Sequence, residues 1–200
     1  MRLILCYEKK GPMAFIAHLD FQQLWWRIFR LAGMRLEMTK GYNPRPRMRF
    51  ALPLATGFQG ERELLEVFLE EDEEEVVERL NNVMPRGLAV LAATPVADPF
   101  PKITALVDAV AYRVELPASL PGLDCVVQVA GDYLLAADQE GSELTLLLKV
   151  DNQRSVRPDT IAAACFPQQD PAGFAITRTG IYARKNEKNS PLPTGMLLLD

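Results

Sequence analysis

Three arginines at alternate positions, Arg45, Arg47 and Arg49, are the side chains best suited to chemistry in this sequence. On an extended backbone they point the same way. Pro44 and Pro46 favour extension, because each restrains its own φ and biases the preceding residue away from helix. Gly41-Tyr42-Asn43-Pro44 reads as the turn that delivers them. Guanidinium groups recognise phosphate through paired, planar hydrogen bonds. Tyr42 and Phe50 offer rings on which a base can stack. The expected RNA or phosphate site therefore comprises Arg45, Arg47, Arg49, Tyr42, Asn43 and Phe50, with Arg27 and His18 beside it. A competing reading pairs the same arginines with the chain's own acids, such as Glu61, Glu63 and Glu66.

His18 is the only histidine, and Asp20 follows two residues later. They are weak catalytic candidates. An acid–base pair needs direct reach, and positions 18 and 20 do not share a helix face. Asp20 is better placed as a helix N-cap, while His18 could still face the arginines across a sheet. One histidine and scattered carboxylates do not suit a transition-metal site, so no metal is expected. Gly57 and Gly60 lack the strand–loop–helix setting of a phosphate cradle and read as turns. Cys6, Cys125 and Cys165 are widely spaced and odd in number. They read as reduced, buried small hydrophobes in a cytoplasmic protein. No apolar run reaches the length of a membrane span, and 'MRLILCYEKKG' reads as a first strand rather than a signal peptide.

Charge is segregated. Residues 1–50 hold ten basic side chains against three acidic ones, and residues 51–110 hold four against twelve, within a net charge of −4. That balance argues against a generally basic nucleic-acid binder and leaves only a local patch. No DNA partner is expected.

The elements that must position these residues follow from periodicity. 'RLILCYE' is a strand. A helix runs from about His18 or Asp20 to Ala32, with Phe21, Leu24, Trp25 and Ile28 inward and Gly33 as its C-cap. Trp26 and Phe29 flank its polar stripe and read as partner anchors. 'MRLEMT' and 'RELLEVFLE' are strands, 'EDEEEVVERLNNVMPRG' an acidic helix, and 'LAVLAATPV' a strand. This is an α+β chain whose residues 1–97 form a ferredoxin-like βαββαβ unit, with helices on one sheet face and the other face available. Residues 105–185 form a second half, read as a degraded ferredoxin-like unit or as an extension of one antiparallel sheet. There 'DCVVQVA', 'YLLAAD', 'ELTLLLKV' and 'GFAITRTGIYAR' read as strands and 'RPDTIAAACF' as a helix. Residues 186–200 are a tail whose 'MLLLD' end docks on the domain or on a partner.

The stretches 'FIAHLDFQQLWWRIFRLAGM' and 'TKGYNPRPRMRFALPLATGFQGERELLEVFLE', followed by 'PRGLAVLAATPV', resemble the radical SAM-linked domain family, domain of unknown function 2344. His18, Leu19, Asp20 and Arg27 match its His-Leu-Asp and Arg-bearing helix. Gly41, Tyr42, Asn43, Pro44 and Pro46 match its turn, with Arg45 where a histidine is common. Pro53, Leu54, Gly57 and Glu63 or Glu66 fit the remainder. The match is strongest over residues 1–95. The resemblance implies partnership with a radical SAM enzyme and hints at RNA. It does not place a cluster on this chain, which lacks the Cys-x3-Cys-x2-Cys arrangement, so no cofactor is expected here. The leading expectation is a non-catalytic accessory module that binds RNA or a phosphorylated substrate for such an enzyme. The alternatives are a small RNA-processing or RNA-modifying enzyme using His18 and Asp20, and a protein-docking module.

Overall fold

The computed structural model describes residues 1–97, 99–152, 154–170, 173–183 and 193–198. Among these residues, nine strands form one mixed sheet, which four α-helices accompany. The N-terminal elements are β1 (Arg2–Lys9), α1 (His18–Leu31), β2 (Met48–Phe50), β3 (Gln59–Phe68), α2 (Val76–Asn81) and β4 (Leu88–Pro95). The C-terminal elements are β5 (Ala109–Glu115), α3 (Asp124–Ala130), β6 (Leu134–Glu140), β7 (Glu143–Lys149), α4 (Pro158–Cys165), β8 (Ala175–Ala183) and β9 (Met196–Leu198). The order βαββαβ thus occurs twice. The strands lie β4-β1-β3-β2 in the first unit and β8-β5-β7-β6 in the second, and short parallel pairing of β3 with β8 joins them.

Strand β1 shows why the first unit folds. Leu3, Leu5 and Tyr7 turn to one face, where Phe21, Trp25, Ile28 and Phe29 of α1 and Leu80 of α2 bury them. α1 ends in a Schellman motif. Met34 N–H donates to the Phe29 carbonyl at 2.9 Å and Gly33 N–H to the Arg30 carbonyl at 3.2 Å. The positive φ of Gly33 makes this turn possible.

Four expectations are corrected. The second sheet face is not available. Ile4, Cys6 and Leu64 pack there with Ile103, Leu106 and Met196, so the connector and the C-terminal strand cover it. 'MRLEMT' is not a strand. It pairs only through the isolated bridges Leu36↔Leu69 and Met38↔Pro46, and the second strand is Met48–Phe50. Pro46 has no N–H for a longer ladder. 'DCVVQVA' is helix α3, because Val126 and Ala130, four apart, form its buried stripe while Val127 is exposed. The acidic helix shortens to Val76–Asn81, since Glu75 adopts a left-handed φ of 53° and leaves the preceding carboxylates outside it.

The cysteine reading is also corrected in part. Cys125 of α3 and Cys165 of α4 are bonded as a disulfide, with Cα atoms 5.7 Å apart across a 40-residue separation. Cys6 is buried as expected, and burial pushes its thiol up to about 11. Of the tail, Met196–Leu198 docks as β9 parallel to β8, and residues 186–192 and 199–200 lie outside those described. No helix among the described residues is long and apolar enough to cross a membrane.

Candidate nucleic-acid interface

The arginine stretch folds as a hairpin pinned to the end of β3. Glu37 N–H donates to the Phe68 carbonyl at 2.7 Å, and Phe68 N–H to the Arg47 carbonyl at 3.2 Å. Arg47 N–H reaches the Glu37 carbonyl at 2.7 Å, and Thr39 N–H the Arg45 carbonyl at 2.7 Å. Arg45 N–H in turn donates to Thr39 Oγ1 at 3.0 Å. The base is therefore fixed from both sides, and residues 40–44 project as an exposed tip. Gly41 supplies the positive φ of 153° that the tip needs.

The three arginines do not remain a free comb. Arg47 pairs with Glu37 and lies over the Phe68 ring, 3.9 Å from its centroid. Arg49 Nη1 donates to Glu66 Oε2 at 2.7 Å. The other Glu66 oxygen accepts from Arg2 Nε at 2.8 Å. Arg2, Arg47 and Arg49 thus gather around one phenylalanine, with Glu66 wholly buried between two of them. Each hydrogen bond found for Arg47 and Arg49 uses a single guanidinium nitrogen, and each side chain is 36% exposed. The competing reading named Glu66 correctly. Glu61 instead pairs with Arg113 and Glu63 with Arg178.

Arg45 is exposed and has no ion-pair partner among the described residues, as has Lys40 at the other foot of the tip. Tyr42 between them is 100% exposed, and Asn43 is exposed beside it. Phe50 is not available for stacking. It is buried against Tyr7 and Phe21, with the His18 ring 5.2 Å away. Because β2 alternates, Phe50 faces the helices while Arg49 turns to the opposite face. His18 therefore does not look across at the arginines.

His18 is the first residue of α1, and Asp20 lies exposed in its first turn without capping it. The Gln22 amide lies 2.9 Å from His18 Nε2. An amide nitrogen can only donate, so the ring proton is assigned to Nδ1. Burial, then the nearby Lys9 charge, lowers the His18 pKa below its usual 6.5. The ring is neutral at pH 7 and brings no positive charge to a phosphate. The unfolded chain takes up a proton below pH 6.5 that the folded chain resists, so stability falls with pH there. In urea titrations from pH 8 to 5, the wild-type midpoint should drop relative to that of His18→Gln as pH falls below 6.5. Parallel curves would show that His18 is not desolvated.

Arg27 is exposed on α1, with no bond to the hairpin among the described residues. The two helix anchors separate. Trp26 is 40% exposed, but Phe29 is 0% exposed and belongs to the core, because its ring packs on Trp25. No group of three or more metal-ligating side chains occurs among the described residues. Sequence reasoning missed Glu37, Phe68 and Arg2. Glu37 lies opposite Arg47 once the turn is placed, so a hairpin register would have found it. Nothing local points to Arg2, which arrives from the first strand.

A two-unit α+β protein with a pinned basic hairpin is the class that fold and site define. Residues 2–158 match the family described as uncharacterized protein conserved in bacteria (DUF2344), and the chain belongs to that family. The match runs past the first unit to the first residue of α4. No curated protein matches the chain.

Proposed function

We propose that this chain is a non-catalytic accessory module that holds single-stranded RNA at the hairpin tip for a radical SAM enzyme. The observation that supports the RNA half is a fully exposed tyrosine, on a backbone pinned at its base, between two cations with no ion-pair partner among the described residues. A ring held out in water is available to stack on any base, at roughly 1–3 kcal/mol per base. Lys40 and Arg45 supply phosphate contacts, and the spare nitrogens of Arg47 and Arg49 extend the basic track. The enzyme half rests on the family resemblance alone. Few phosphates are engaged, so affinity should fall only gently with salt, with a log–log slope of about −0.7 per contact.

A fluorescein-labelled 12-nucleotide uridine RNA tests the reading by polarisation. Tyr42→Ala and Arg45→Ala should each weaken binding about tenfold with the melting temperature unchanged, because both side chains are exposed. Full retention of affinity in the double variant would overturn it. A second reading, protein docking, is supported by Leu19 and Trp26, 69% and 40% exposed and seven residues apart on one face of α1. The enzyme reading has less support, since His18 is engaged by Gln22 and Asp20 stands exposed without a bond to it among the described residues.

A further inference from the structure

We infer that the junction of the two units is a second ligand site, one for a flat heteroaromatic ring carrying an anionic group, the chemistry of a mononucleotide. Two clefts meet there. One, of about 430 Å³, is lined by Phe15, Thr56, Phe58, Arg157 and Phe174. The other, of about 360 Å³, is lined by Leu52, Pro53, Phe58, Tyr112, Arg154 and Arg157. Phe58 and Arg157 line both, so the clefts adjoin across that pair. Volumes of this size hold small ligands, and sites of this kind favour unit junctions.

The walls assign the two ends of the ligand. Phe15 is 73% exposed although it is a large aromatic at the cleft mouth. Phe58 and Phe174, each 7% exposed, form an apolar floor, so Phe15 is the ring free to lie on a planar group. Asp159 and Asp170 also line that cleft, so an anion is disfavoured there. The second cleft carries Arg154, exposed and without an ion-pair partner among the described residues. It shares Arg157, whose Nε donates to Asp159 at 3.0 Å and whose Nη2 pairs with the same carboxylate, leaving Nη1. The Arg157 guanidinium lies 5.8 Å from the Phe58 ring centroid. The ring belongs beside Phe15 and Phe58, and the anionic group beside Arg154 and Arg157.

The site is built rather than incidental. Arg178 donates to the Leu52 carbonyl at 2.7 Å from beneath. Gly57 N–H donates to the Ala14 carbonyl at 2.8 Å and ties the segment bearing Phe15 to the opposite wall. Walls fixed before binding reduce its ordering cost. The clefts lie by the start of β3 and the hairpin by its end, so this site does not depend on the RNA reading.

The test titrates the full chain with AMP, GMP, CMP and UMP, followed by calorimetry. At least one should bind, Phe15→Ala and Arg154→Ala should each weaken it about tenfold, and Tyr42→Ala should leave it unchanged. The 12-nucleotide uridine RNA, added to the Tyr42→Ala chain, separates the sources. Displacement of the mononucleotide identifies a residue of RNA as the occupant, and no displacement identifies a free nucleotide. Both replaced side chains are exposed, so failure to fold does not confuse the result. Absence of binding by all four nucleotides, or binding indifferent to both substitutions, would overturn the inference.

Discussion

Arg178→Met is expected to cost about 3–5 kcal/mol of stability, the usual range for breaking a buried ion pair by removing one partner. Arg178 and Glu63 are 1% and 2% exposed at their side chains. Arg178 Nε donates to Glu63 Oε1 at 2.8 Å, and its other nitrogens reach Leu52 and Pro53 carbonyls. Burial by itself would lower the guanidinium pKa, but the Glu63 charge and hydrogen bonds outweigh it and hold the pKa well above the usual value. The variant leaves a carboxylate in a dry interior and two carbonyls short of a donor. The double variant Arg178→Met with Glu63→Leu should recover much of the loss, since a buried pair replaced by apolar groups is often neutral. Urea denaturation checks both. A loss below 1 kcal/mol for the single change would mean that water reaches the pair. Because Arg178 stands on β8 and Glu63 on β3, the destabilisation acts on the junction itself.

Glu66→Gln is the second large effect, at about 3 kcal/mol by the same argument. One carboxylate, 0% exposed, serves both Arg2 and Arg49. Removing its charge takes a shared, fully buried partner from Arg2, whose side chain is 10% exposed, and from Arg49 at once. Arg49→Ala should cost no more than about 1 kcal/mol, because its side chain is partly solvated and the rest of the cluster is kept. Thermal melts of the two variants decide this. Equal losses would show that Glu66 and Arg49 act only as a simple pair.

β1, α1, β3 and β4 of the first unit could be read from sequence because their signals are local. The spacing of Phe21, Trp25 and Ile28, the cap at Gly33 and the Pro44-Pro46 extension each act within a few residues. α3 was missed because Val126 and Val127 look like strand residues, while the Val126–Ala130 spacing that decides the matter shows its meaning only when the sheet beneath is in place. The site was half readable. Residue types placed a basic hairpin, but Arg47 and Arg49 find Glu37 and Glu66 through pairing register, and Arg2 reaches Glu66 across a separation of 64 residues. Phe29 looked like an anchor because its helix face could not be known before α1 was docked. Glu63 and Arg178 lie 115 residues apart, and no short-range pattern announces such a pair.

The position of β9 has a bearing on how the chain comes off the ribosome. Met196 packs with Ile4, Cys6 and Leu64, so a surface begun at β1 is completed only by a strand made much later. At roughly 5–20 residues per second, translation from Ile4 to Met196 takes on the order of 10–40 s. Throughout that interval part of the apolar back wall of the nascent first unit stays open to misassociation, and vectorial synthesis closes it only once β9 has emerged.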